Sequence, residues 1–213
     1  MTRILIADDH AIFREGLRQI LEDVPELVVV DEASRGQEVL DKVSKNNYDL
    51  LLLDIAMPGL SGLETLKLLR SQKPKLRVLI LSMYPEEQYA VRAIKAGAYG
   101  YITKASASEE LIEAIRKVSA GGRYISASIA DKLLIDFEPE PERPPHERLS
   151  DREYQVLCMI ASGRTVGEIA ETLVLSVKTV STHRAHILEK MKMKTNAELT
   201  NYAIKHNLVS LTD

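Results

Sequence analysis

Cysteine is almost missing from this 213-residue chain: Cys158 is the only one. A lone thiol forms no internal disulfide framework and no thiolate metal cluster, so disulfide scaffolds and zinc fingers are excluded and a reducing compartment is expected. Tryptophan is absent, and aromatic residues amount to 5%. No apolar run approaches the roughly 18–20 residues that cross a bilayer; the most continuous clusters are as short as residues 50–53. The first residues meet Asp8 and Asp9 too early for a secretory leader. Neither G-x-G-x-x-G nor G-x-x-x-x-G-K-[ST] follows the first β-rich run, which leaves a flavin or nucleotide binder with little support. What is present, 45% apolar and 28% charged residues, describes a soluble globular chain with a core.

The formal charge of −3 is unevenly spread. Residues 1–137 carry 18 Lys and Arg against 20 Asp and Glu, whereas residues 149–213 carry 8 against 7. Within the second part, residues 178–194 hold Lys178, Arg184, Lys190, Lys192 and Lys194 against Glu189 alone. Such a local cationic stretch attracts polyanions even on an acidic molecule. Between the two parts, residues 137–147 contain four prolines and four glutamates, the composition of an extended, solvated linker.

Ahead of that linker, β-rich runs at 3–7, 27–33, 50–53, 78–82 and 100–102 alternate with helical patterns near 12–23, 36–45, 62–71, 86–96 and 107–119. Continuously apolar strands separated by helices predict an α/β, doubly wound five-stranded parallel sheet. One more helix is expected at 127–137. Beyond the linker there is no strand pattern. Ser150, Thr165, Ser176 and Thr195 each precede a helical run, and Ser150, Thr165 and Thr195 have Glu three positions on, the capping-box spacing. A small all-α domain of four helices is predicted, near 151–161, 166–173, 177–191 and 196–206.

In a doubly wound sheet, ligands gather at the carboxyl ends of the strands. Asp8 and Asp9 end the first strand, Asp54 the third and Ser82 the fourth, with Lys104 just past the fifth. Three carboxylates in one crevice repel one another unless a cation neutralises them, and Mg²⁺ suits a sparse oxygen donor set. A carboxylate nucleophile, a divalent ion, a hydroxyl and an ammonium together form the inventory for an aspartyl phosphate. A phosphatase built on the same nucleophile needs a second acid two residues later, and position 56 is alanine.

Residues 1–122 resemble the receiver domain of bacterial two-component response regulators. The matching pieces are Ala7-Asp8-Asp9-His10, Asp54-Ile55-Ala56-Met57-Pro58-Gly59, Gly62, Leu81-Ser82, Gly97-Ala98 and Tyr101-Ile102-Thr103-Lys104. The resemblance implies a flavodoxin-like (CheY-like) fold with Asp54 as phosphoacceptor. It implies Mg²⁺ held by Asp9, Asp54 and the Ala56 carbonyl with help from Asp8, phosphate contacts from Ser82 and Lys104, and Tyr101 as the aromatic that switches with Ser82. Many receivers follow the lysine with a cis proline; Ala105 stands here and leaves that isomer open.

Residues 149–213 resemble a LuxR-type helix-turn-helix domain, with the helix-turn-helix at about 166–185 and residues 123–148 as the connecting helix and linker. The resemblance runs through Leu149-Ser150-Asp151-Arg152-Glu153, Glu168-Ile169-Ala170, Ser176-Val177-Lys178-Thr179-Val180-Ser181-Thr182-His183 and Ile187-Leu188-Glu189-Lys190-Met191. Periodicity independently predicts that Val177, Val180, Ile187, Leu188 and Met191 are buried, leaving Lys178, Ser181, Thr182 and Ala185 on the opposite face with Arg184 at its flank. Small polar residues beside cations suit a recognition helix in the major groove. Leu199, Tyr202 and Ala203 on the last helix suggest a face that pairs with its copy across a two-fold axis.

The whole chain is thus similar to response regulators of the NarL/FixJ type. That implies a non-enzyme beyond its own phosphoryl uptake and loss, a cytoplasmic protein with no membrane attachment. Its expected partners are a sensor histidine kinase, promoter DNA and, when phosphorylated, a second copy of itself.

Overall fold

Strands that are apolar on both sides need cover on both faces. In the computed structural model, which describes residues 1–135 and 144–209, this is how the first of two compact units, Met1–Leu133, is built. Its strands are β1 Thr2–Ala7, β2 Leu27–Ala33, β3 Leu50–Asp54, β4 Arg77–Ser82 and β5 Gly100–Thr103, all parallel in the order β2-β1-β3-β4-β5. Side chains alternate across a strand. Ile4, Ile6, Leu50, Leu52, Leu79 and Leu81 therefore form one core with Leu17 and Leu21 of α1 (Ala11–Glu22) and Leu111, Ile115 and Val118 of α5 (Ser108–Ser119). The intervening Leu5, Leu51, Leu53, Val78 and Ile80 are equally buried and serve the other face. There run α2 (Gly36–Lys45), α3 (Gly62–Gln72) and α4 (Glu86–Lys95). Each fully buried Leu or Ile contributes about 1.5–3 kcal/mol, enough in aggregate to fix the register.

The edge of the sheet is not left open. Tyr124 lies parallel to β5, its amide donating to the Tyr99 carbonyl at 2.9 Å while the Tyr101 amide donates to the Tyr124 carbonyl at 3.3 Å. A Cβ at Gly100 would stand 2.6 Å from that Tyr124 carbonyl, so only glycine admits the approach. Helix α6, Ala127–Ile135, follows; residues 136 and 137, expected to extend it, lie outside the described residues.

In the second unit, Leu134–Asp213, the helices are α7 Asp151–Ala161, α8 Val166–Leu173, α9 Val177–Met191 and α10 Asn196–Lys205. Ser150 and Thr165 close full capping boxes with Glu153 and Glu168. At Thr195 only half the box forms: its hydroxyl takes the Glu198 amide, while the Glu198 carboxylate turns to the Lys194 amide at 2.7 Å. Helix α7 is buried around its whole circumference, Arg152, Glu153 and Gln155 included. Glu153 is neutralised by Lys190 at 2.7 Å.

Three expectations are corrected. The linker reading of 137–147 lies outside the described residues as far as 143, but its described end is not extended: Pro145–Arg148 forms a 3₁₀ turn. Proline's fixed φ suits a first helical turn, where its missing N–H costs nothing. Val177 is 56% exposed rather than core, because it opens α9 ahead of the first turn that meets the other helices; Leu188 is only half-buried. Finally, Leu199 and Ala203 are fully buried within their own unit, where α10 packs on α7. Tyr202 is held by His146 Nδ1 at 2.8 Å. That face is already covered and is not free to pair with a copy.

Candidate functional site

The strand register assembles the acidic crevice. Ala7 stands beside Leu53, Asp54 beside Leu81 and Ser82 beside Thr103, so the residues ending β1, β3, β4 and β5 meet along one edge. The crevice opens between β1 and β3, the point at which connections leave in opposite directions. The loop after β3 folds back tightly. Gly62 donates to the Ile55 carbonyl at 3.0 Å, and a Cβ there would stand 2.0 Å from the Asp54 carbonyl.

Lys104 Nζ lies 2.5 Å from Asp8 Oδ2 and 2.9 Å from Asp54 Oδ2, with all three side chains at 3% exposure or less. Burial works against the ammonium, but Asp54 and Asp8 outweigh it and raise its pKa. Burial likewise raises the Asp54 carboxyl; Lys104 offsets part of this and the neighbouring Asp8 charge adds to it. The Ala56 amide also leans on Asp54. Even so, both Asp54 oxygens and Asp8 Oδ2 lack a hydrogen bond of regular geometry. Asp9 is at the mouth, its Oδ1 2.9 Å from His10 Nδ1, and His10 also reaches Asp8 Oδ1 at 3.2 Å. Oxygen and nitrogen ligand atoms of Asp8, Asp9, His10 and Asp54 all lie within 4.8 Å of one another. The peptide after Lys104 is trans.

Ser82 is fully buried and belongs to a closed ring of hydrogen bonds. Its hydroxyl accepts the Tyr84 amide at 3.1 Å and bonds to the Tyr101 phenol, which donates to the Tyr84 carbonyl at 2.8 Å. Burial pushes the Tyr101 phenol well above its ordinary pKa, so it stays a donor. The structure therefore gathers Asp8, Asp9, Asp54, Ser82, Tyr101 and Lys104 at one edge, as the sequence predicts.

Sequence reasoning passed over His10 as a member, although its position directly after the acid pair is a usable signal. It also passed over Phe13, whose ring lies 4.8 Å from Lys104 Nζ and forms part of an apolar groove of about 480 Å³ beside the site. Nothing in the sequence marks Phe13, because helix α1 brings it there. Ile12 and Met83, 90% and 69% exposed, rim the groove.

In the second unit, α8 and α9 are joined by Val174 in the left-handed region (φ 53°, ψ 48°). Ser176 caps α9 by accepting the Thr179 amide at 3.0 Å. Lys178, Ser181, Thr182 and Ala185 are exposed together on one face. The Thr182 hydroxyl donates to the Lys178 carbonyl at 3.0 Å. Arg184 lies at the flank, its Nε bonded to Asn196 Oδ1 at 2.6 Å, so part of that guanidinium is already engaged.

Comparison with known proteins agrees with this geometry. The family described as the response regulator receiver domain matches residues 4–116, and that of bacterial regulatory proteins of the luxR family matches residues 147–203. Response regulator GacA of Pseudomonas aeruginosa is 41% identical over 211 residues, covering 98% of both chains. Response regulator UvrY of Escherichia coli K12 is 38% identical over 209 residues, covering 98% of this chain and 96% of its own. Among solved structures, RcsB of Salmonella enterica serovar Typhimurium, bound to the promoter P1flhDC in the presence of the phosphomimetic BeF3⁻, is 26% identical with a TM-score of 0.64. It covers 94% of this chain and 97% of that one. A receiver-type crevice on the first unit, a helix-turn-helix on the second and these full-length relatives lead to one conclusion: the chain belongs to the response regulators that join a receiver domain to a LuxR-family DNA-binding domain.

Proposed function

We propose that a sensor histidine kinase phosphorylates this protein on Asp54, and that the phosphorylated form regulates transcription as a homodimer on promoter DNA. The single observation that carries the reading is the buried Asp8–Lys104–Asp54 triangle at the strand ends, with Asp54 oxygens that accept no hydrogen bond of regular geometry. A buried carboxylate left this way has a lone pair for an electrophilic phosphorus. An Asp54 oxygen forms the new bond as the bond to the donor breaks, and the leaving group departs with the electron pair. Lys104 then meets the phosphoryl oxygens as a fixed cation, and Ser82 donates to another.

The donor set of Asp8, Asp9 and Asp54 fits Mg²⁺, a hard ion that takes few protein oxygens and keeps its waters. The Ala56 carbonyl is the further ligand in this reading. When bound, the ion neutralises charge on the transferred group. Beyond taking up and losing its own phosphoryl group, the protein is no enzyme.

The groove rimmed by Ile12 and Met83 supports a kinase helix docking beside Asp54. No described helix is long and apolar enough to cross a membrane, and we place the protein in the cytoplasm, where DNA is. On DNA, Lys178 contacts phosphate, Ser181 and Thr182 read base edges, and the free part of Arg184 reaches the backbone at the flank. RcsB forms dimers on DNA; for this chain the contact is made by surfaces other than the covered face of α10. The test is intact mass after incubation with a small phosphodonor and Mg²⁺. One phosphoryl group should add to the wild type and none to Asp54→Ala; equal gain in both places the acceptor elsewhere.

A further inference from the structure

Among the described residues of the second unit, the large hydrophobic side chains left exposed are Val174 and Val177, at 68% and 56%. Both lie where α8 turns into α9, on either side of Leu175 and the Ser176 cap. One exposed aliphatic residue on a surface is ordinary; two within four residues, with none on the rest of the unit, single out this turn. Val177 is the first residue of α9. Val177, Ser181 and Ala185 follow at i, i+4 and i+8, the spacing that lines one side of a helix. All three are exposed, as are Lys178 and Thr182 on the adjoining row. The valine therefore continues the polar, cationic face to the end of α9, and it is the first residues of a recognition helix that meet base edges.

We propose that Val177 reads the C5 methyl group of a thymine in the major groove. The inference rests on α9 being the DNA-reading helix and names what one more of its residues recognises. Lys178, next in the chain and exposed, makes a polyanion the occupant that fits this face by charge. Within a duplex, base edges in the major groove are mostly hydrogen-bond donors and acceptors, and the one methyl group among them belongs to thymine. The isopropyl group of Val177 offers no donor or acceptor. Against a purine edge or the cytosine amino group it would strip water from polar atoms and give nothing back. Against the methyl it removes apolar surface from water on both sides. Lys178 then holds the duplex by charge, Ser181 and Thr182 hydrogen-bond, and Val177 separates thymine from the other bases by apolar contact alone.

Competition binding with the full chain, loaded with beryllofluoride and Mg²⁺, tests this. The probe is the duplex that the wild type enriches from a random-sequence pool. Each thymine in it is replaced singly by deoxyuridine, which deletes the C5 methyl and no hydrogen-bonding atom. At one thymine per recognition helix the wild type should lose about fourfold in affinity, the factor for one buried methyl group. Val177→Ala should bind the thymine and uracil duplexes equally at that position while keeping the wild-type response at the others. The readout is a ratio of two duplexes for one protein, so it does not depend on how much of the variant is folded. If the wild type enriches no sequence, α9 does not read DNA, and that reading falls together with this inference. Three results would overturn the inference alone: an enriched site in which no uracil replacement weakens binding, a fourfold loss that persists in Val177→Ala, or equal weakening of every duplex by Val177→Ala, which would make it a backbone contact.

Discussion

Replacing Lys104 by methionine keeps the stem and removes the charge, leaving two carboxylates at 1% exposure without their buried counter-ion. At separations near 2.9 Å and an effective dielectric of about 20, each contact is a gross attraction of about 6 kcal/mol. Desolvation of three ions and repulsion between Asp8 and Asp54 offset most of that. Breaking buried pairs costs about 3–5 kcal/mol, which we take as the expected loss for the first unit. At roughly 3–4 °C per kcal/mol for a unit of this size, its calorimetric transition should fall by roughly 9–20 °C near neutral pH without Mg²⁺.

The pH dependence has a definite sign. The folded pKa of Asp54 is already raised by burial, and losing Lys104 raises it further. A raised carboxyl contributes stability that is present below its unfolded value, about 3.9, and lost as pH rises through the folded value. The deficit of the variant should therefore shrink as pH is lowered toward about 5, and adding Asp54→Asn to it should recover part of the loss near neutrality. A loss below about 1 kcal/mol, or one that does not change with pH, would refute the claim that Lys104 neutralises this pair.

Asp9→Ala should weaken Mg²⁺ binding measured by titration calorimetry while leaving the buried Asp8–Lys104–Asp54 contacts intact; equal affinity would remove Asp9 from the ligand set. Lys178→Ala should weaken binding to all duplexes and lower the salt slope by about one, whereas Thr182→Ala should shift preference among duplexes with the slope unchanged. Competition binding at two salt concentrations separates the two, and neither assignment survives if both variants match the wild type. Val174→Gly should raise the melting temperature of the second unit by roughly 4–8 °C, since a β-branched residue in the left-handed region costs about 1 kcal/mol net. An unchanged or lower value would mean that the strain is relieved by contacts.

Strands and helices were legible because the signals that specify them are local. Continuous apolar runs fix β1 to β5, and Ser150 and Thr165 with their glutamates mark helix starts to the residue. The crevice was legible for a related reason: in a parallel sheet every strand ends at the same edge, so sequence position alone brings Asp8, Asp54, Ser82 and Lys104 together. What failed depends on contacts between distant segments. Periodicity identifies an apolar face but not its partner. It therefore left the Leu199–Ala203 side of α10 available to a second copy, when α7 and His146 cover it. Val177 fits the helical stripe by number but precedes the turn at which α9 meets its neighbours.

The same distinction separates the residues that fold this protein from those that act. Where the fold satisfies itself, groups are paired inside one unit: Glu153 with Lys190, Arg14 with Glu32 at 2.8 Å, Ser61 with Glu64. At the crevice it does not. Burial and the neighbouring Asp8 push the Asp54 carboxyl up against the pull of Lys104, and its oxygens lack regular hydrogen bonds. Such a group destabilises the free protein, and a ligand that neutralises it returns that energy as affinity. On α9 the imbalance is milder: exposed Lys178 faces outward beside Ser181 and a Thr182 whose hydroxyl proton is already spent on the helix. An ion or phosphoryl group completes the first site and a polyanion completes the second, which is why unsatisfied groups, more than buried ones, mark where this chain meets its partners.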